Sequence, residues 1–215
     1  MLWLKPERGR YHLGEAVKVG IFASGLEGLP RQGERRFKLW AVNPSGGFRE
    51  LTVAPGGGED WAAVEFLPGD IGLYTVAAGI TGDVSFSART YFCVERERNL
   101  LPPAGEGLVI TPVWYEGSYL GWPVRLEARF NGEHLRKTAV DIFPGFWHGE
   151  TLFRVTDGAG QVVIDGRNWC YRQHGKGKVF SPSGMHWLVL VNHTAPGGEC
   201  CVATCTFCPD QPQSN

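Results

Sequence analysis

One stretch of this chain is written twice. Phe180-Ser-Pro-Ser-Gly-Met-His-Trp-Leu-Val-Leu-Val191 echoes Phe66-Leu-Pro-Gly-Asp-Ile-Gly-Leu-Tyr-Thr-Val76, which begins 114 positions earlier. In both, an aromatic residue and a proline lead through a glycine turn into an apolar run whose early position is a large aromatic, Tyr74 or Trp187. A second pair, Leu13-Gly-Glu-Ala-Val-Lys-Val19 and Leu120-Gly-Trp-Pro-Val-Arg-Leu126, is offset by 107 positions. The two offsets agree within one loop insertion, so the sequence reads as one module used twice.

The module is a β-sandwich. Glycine (30) and proline (14) fall between short apolar runs in 215 residues, and aromatics reach 12%, which suits short strands and tight turns. A chain of this length accommodates two sandwiches of ~100 residues each. The expectation is therefore all-β: two tandem immunoglobulin-like β-sandwich domains, 1–97 and 107–215, with a linker at 98–106 where charge gives way to Pro102, Pro103 and Gly105.

Strands follow from the period of two. Met1 to Pro6 reads as an edge strand closed by proline. From Glu15 to Phe22, Val17, Val19 and Ile21 share one face. In Phe37–Val42, Leu39 stands opposite Lys38 and Trp40. Further strands are expected at Leu51–Val53, Trp61–Phe66 and Val84–Val94. The spacing Asp70-x-Gly72-x-Tyr74 resembles the tyrosine corner of such sandwiches, in which the phenol bonds the backbone.

In the second half strands are expected at Leu108–Val113, Thr138–Phe143, Thr151–Thr156 and Gln161–Asp165. The cleanest alternation places Val124, Leu126, Ala128 and Phe130 inward, with Arg125, Glu127 and Arg129 outward, before the hairpin signal Asn131-Gly132. A polar loop is expected over Gly166–Val179. Met185–Val191, apolar on both faces, reads as a central strand and Val202–Phe207 as the closing one.

Net charge is −1 with dispersed lysines and arginines, so no footprint for nucleic acid or an anionic membrane is present. No apolar run reaches the ~20 residues of a spanning helix, which argues against direct membrane insertion. The serine-elbow, phosphate-loop and His-Glu-x-x-His motifs are all missing, and the chain is not expected to be an enzyme.

The order of Trp3-Leu-Lys-Pro6, Leu13-Gly-Glu15, Phe130-Asn-Gly-Glu-His-Leu135 and Thr156-Asp157-x-x-Gly160 is one basis for a family resemblance. Pro182-x-Gly184-x-x-Trp187-x-x-x-Val191-x-His193 and Ala203-Thr-x-Thr-Phe207 complete it. The chain resembles a bacterial family of exported two-domain proteins of unknown function, described as periplasmic components of cobalt or nickel uptake systems. That resemblance implies a periplasmic location, a signal peptide outside this chain, a bound cobalt or nickel ion and a membrane transporter component as partner. Members commonly carry a histidine just ahead of the mature N-terminal aromatic; this chain has none there.

Nickel and cobalt favour imidazole, with thiolate and carboxylate as further ligands. The metal candidates are His148, in an irregular loop beside Trp147, and His193, just past a buried strand, followed by His174 and Cys170. Neutral imidazole ligands would lose affinity below about pH 6. Of the six cysteines, four fall at Cys200, Cys201, Cys205 and Cys208. They invite a disulfide to Cys170 or among themselves, or second a thiolate metal site. A different class of function is open to the aromatics Trp114, Tyr115, Tyr119, Trp122, Phe146, Trp147 and Trp169, which could stack on sugar rings or a partner protein.

Overall fold

A computed structural model describes residues 1–23, 37–55, 62–96, 106–113, 123–145, 151–165, 171–172, 179–180 and 186–208. Every regular element among them is a strand. The first half supplies β1 (Leu2–Pro6), β2 (Arg10–Tyr11), β3 (Val17–Ala23), β4 (Phe37–Val42), β5 (Phe48–Glu50), β6 (Ala54–Pro55), β7 (Ala62–Phe66), β8 (Gly72–Ile80) and β9 (Val84–Val94). The second supplies β10 (Leu108–Pro112), β11 (Val124–Phe130), β12 (Glu133–His134), β13 (Ala139–Pro144), β14 (Leu152–Val155) and β15 (Gln161–Ile164). It continues with β16 (Tyr171–Arg172), β17 (Val179–Phe180), β18 (Trp187–Thr194) and β19 (Cys200–Phe207).

The repeat seen in the sequence is a repeat of strand order. A small sheet β1-β3-β7-β6 in the first half answers to β10-β11-β15 in the second, and the run β5-β4-β8-β9 answers to β14-β13-β18-β19. The two runs are one sheet. β19 pairs with β9 in parallel over seven residues, from Cys200↔Val84 to Thr206↔Thr90. β19 is thus an interior strand, antiparallel to β18 on its other side.

A parallel junction between two copies of a run has a geometric consequence. The rotation that superposes them runs along the strands, and it exchanges the faces of the sheet. The buried side chains obey this rule. Tyr74, Val76, Phe92 and Val94 pack with β1, β3 and β7, while the intervening Leu73, Tyr91 and Cys93 pack with β10, β11, β18 and β19. Alternate residues of β8 and β9 therefore serve two different cores. Strand β1 lies across the junction on its own face, where Thr204 Oγ1 donates to Leu2 O at 2.8 Å.

Local chemistry explains most elements. Val17, Val19 and Ile21 are fully buried, as their alternation requires. The tyrosine corner is formed: the Asp70 amide donates to Tyr74 Oη at 2.9 Å. Asn131 and Gly132 take positive φ angles of 49° and 85°, the geometry that turns β11 into β12.

Three expectations need correction. The strand expected at Leu51–Val53 is Phe48–Glu50, because the tight turn at Asn43–Gly47 returns the chain directly beside β4. Leu51 instead drops into the core, its amide bonded to Leu39 O. Glu127 does not face solvent; it is buried between Arg129 Nε at 2.6 Å and His134 Nδ1 at 3.0 Å. The loop expected over Gly166–Val179 contains β16, which pairs with β17. The linker at 98–106 lies outside the described residues except for Glu106.

Because Tyr91 and Cys93 complete the second core, the halves should unfold together. Calorimetry of the chain is expected to give one transition with equal calorimetric and van't Hoff enthalpies. Two resolved transitions would mean that the β9–β19 ladder contributes little.

Candidate functional site

The second small sheet does not cover the whole face it packs on. Beyond its edge strand β10, the same face of β9, β8 and β4 is open and forms a trough of about 670 Å³. Register places its floor in rows. Trp40, Ala77 and Arg89 stand side by side across β4, β8 and β9, and Lys38, Gly79 and Ser87 form the next row. Trp40, Lys38 and Arg89 on the flanking strands are thus large, and Ala77 and Gly79 between them are small.

The trough has two banks. On one stand Trp40 and the edge residue Phe48, which is 70% exposed. The ring of Trp40 lies over Gly79, with Cη2 3.7 Å and Cζ3 3.9 Å from where a Cβ there would sit. On the other bank is β10, tied to the floor by a hydrogen bond from Ser87 Oγ to Leu108 O. Tyr91 Oη fixes the same strand by donating to Ile110 O at 3.1 Å, and burial pushes its phenol far above the ordinary range. At the end of that bank the amide of Gly107 donates to Asn131 Oδ1, and the Asn131 amide to Gly107 O, both at 2.9 Å. Glu199, which also lines the trough, accepts from Ser85 Oγ.

The second half offers a control on this geometry. With Tyr74 matched to Trp187, the floor residues Thr75, Ala77 and Gly79 correspond to Leu188, Leu190 and Asn192 of β18. There Leu188 is buried against Trp3, which stacks on Phe22 at 5.4 Å. Leu190 is half-buried and Asn192 is exposed, so the equivalent surface is closed at Leu188 alone.

The residues singled out for metal binding fall elsewhere. His148, His174 and Cys170 lie outside the described residues. His193, on β18 opposite Cys201, packs its ring on Phe130 at 4.7 Å between centroids. Among the described residues no group of three or more His, Cys, Asp or Glu is placed to hold an ion. Burial raises the Cys201 and Cys205 thiols above their usual range, which disfavours the thiolate a metal needs. The described residues alone therefore do not fit a nickel or cobalt centre. Cys200, Cys201 and Cys205 stand as thiols. The loop aromatics Trp114, Tyr115, Tyr119, Trp122, Phe146, Trp147 and Trp169 also lie outside the described residues.

The aromatic that matters here, Trp40, was legible only as an outward position opposite Leu39. Its signal was that alternation, together with the small residues Ala77, Ala78 and Gly79 on the strand it meets.

Comparison with known proteins assigns no family: no family model matches the chain and no curated protein matches it. Solved structures align with the chain only at low similarity. A 1.5-MDa bacterial ice-binding adhesin aligns at TM-score 0.31 and 7% identity, over 98% of this chain and 63% of that one. A Ca2+-stabilised adhesin of an Antarctic bacterium gives 0.28 and 10%, over 96% and 48%. The alpha-2-macroglobulin of Escherichia coli gives 0.33 and 15%, over 97% and 20%. The chain spans less than two thirds of each, and at this degree of likeness none assigns an activity.

One histidine makes an acid-sensitive contact. His186 is mostly buried just ahead of β18; desolvation, then the nearby Lys5 charge, lower its pKa to about 4 against a hydrogen bond with the Pro6 backbone. A lowered histidine pKa means that the unfolded chain binds the proton first. Stability is then unaffected above about pH 6.5 and falls between pH 6.5 and 4, by on the order of 2 kcal/mol. In His186→Leu the drop in melting temperature between pH 7 and pH 4.5 should shrink; an unchanged drop would place the acid sensitivity elsewhere.

Proposed function

We propose that the chain is an exported, non-enzymatic binding module: two immunoglobulin-like sandwiches, 1–97 and 107–215, that share one sheet and recognise a ligand in the trough over β4, β8 and β9. The observation that carries this reading is the trough itself: the rings of Trp40 and Phe48 on one bank, and the exposed side chains of Lys38, Glu106, Asn131 and Glu199, line a concave face of the sheet.

The trough's volume lies within the ~300–1,000 Å³ common for ligand clefts, and its lining is of the same kind: apolar and aromatic surface with a few polar groups. Location outside the cytoplasm rests on the resemblance drawn from the sequence.

The test is to fill the trough. Ala77→Trp places a large side chain in the middle of the floor, and Phe153→Ser changes an exposed residue on β14, far along the sheet. Ligands from parallel glycan and peptide arrays should bind the parent and the Phe153→Ser protein alike and lose at least tenfold affinity for Ala77→Trp. Equal binding by Ala77→Trp would remove the trough as the recognition face.

A further inference from the structure

Resting on the reading of the trough as a binding site, we infer that its ligand is an uncharged, extended oligosaccharide, held by side chains alone and stacked on Trp40. Three observations converge on that class.

The floor excludes a peptide strand. β4 is hydrogen-bonded to β5 and β8, β8 to β4 and β9, and β9 to β8 and β19. The ladder groups of the floor strands are engaged within the sheet, so an extended peptide gains no main-chain ladder there, which is the usual source of affinity when a strand is added. The ligand must carry its own dense set of hydroxyl donors and acceptors. Ser85, Ser87 and Asn131 face such groups from the floor and rim.

The aromatic bank supplies the other half of sugar recognition. Trp40 lies down over Gly79, and Phe48 extends the same bank on the next strand, Phe48 standing opposite Val42 and Trp40 opposite Glu50. A pyranose ring has one face of C–H groups that packs on such a surface, with its hydroxyls directed away. From Lys38 to Val42 the bank runs roughly 13 Å at ~3.3 Å per residue, longer than a single ring. Several units of a chain therefore lie in register with the strand.

Charge selects a neutral ligand. The described lining carries two cations, Lys38 and Arg89, and two carboxylates, Glu106 and Glu199. A polyanion would meet both carboxylates and a polycation both basic groups. An uncharged polyhydroxyl ligand meets the exposed Lys38, Glu106 and Glu199 as hydrogen-bonding groups, with the buried Arg89 below them.

The experiment is calorimetric titration of the full chain with neutral hexasaccharides (cello-, xylo- and mannohexaose), the matching disaccharides, oligogalacturonate and a pool of extended decapeptides. A neutral hexasaccharide is expected to bind at least tenfold tighter than its disaccharide. Trp40→Ala and, as a second variant that keeps the tryptophan, Ala77→Trp should each lower affinity at least tenfold while the far-UV circular dichroism spectrum and a cooperative thermal transition are retained. Binding of oligogalacturonate alone would overturn the neutral assignment. Peptide binding that Ala77→Trp abolishes, with no saccharide binding, would overturn the glycan class yet leave the trough as a binding site. Saccharide binding indifferent to Ala77→Trp would overturn both. No binding by any probe would overturn the glycan assignment.

Discussion

The parallel ladder between β9 and β19 governs the rest of the structure. Either half alone would end on an unpaired edge at this strand, and such edges invite uncontrolled pairing. Joining them removes both at once. The direction of the join also decides where the covering sheets lie. Because the strands run parallel, the two runs are related by a rotation along the strand axis, and their covers must sit on opposite faces. An antiparallel join would have put both covers on one face.

Opposite faces create overhang. Each small sheet reaches past the junction far enough to touch the other half, β1 onto β19 and β10 onto β9, and stops. The surface beyond each stop is decided by side chains. Past β1 the sequence supplies Leu188, and Trp3 covers it. Past β10, Thr75, Ala77 and Gly79 lie low between the larger Trp40 and Arg89, and the surface stays concave. Backbone architecture is thus nearly symmetric, and the concavity is set by side chains.

Much of this was written plainly in the sequence. Alternation gave β3, β4 and β11, and the Asp70–Tyr74 spacing gave the corner, because burial on one face and one backbone hydrogen bond are local demands. Glu127 was misjudged because a period of two reports which face a residue occupies, not whether charged neighbours such as Arg129 and His134 will cover it. The pairing of β19 with β9 left no local mark: the two strands are more than a hundred residues apart, and a closing strand and a joining strand read alike. The trough was hidden for the same reason. Trp40 could be placed on the face away from Leu39, but that face acquires a far bank only when β10 is brought to it from the second half.

That dependence gives the trough a thermodynamic property. Its floor belongs to the first half and one bank to the second, so the trough exists only while β9 and β19 are paired and Ser87 holds Leu108. A ligand that fills it binds the joined state and not a separated one, and it therefore stabilises the join by an amount set by its concentration relative to its dissociation constant. The coupling is reciprocal. Whatever loosens the seam weakens the ligand, and whatever strengthens the seam tightens it.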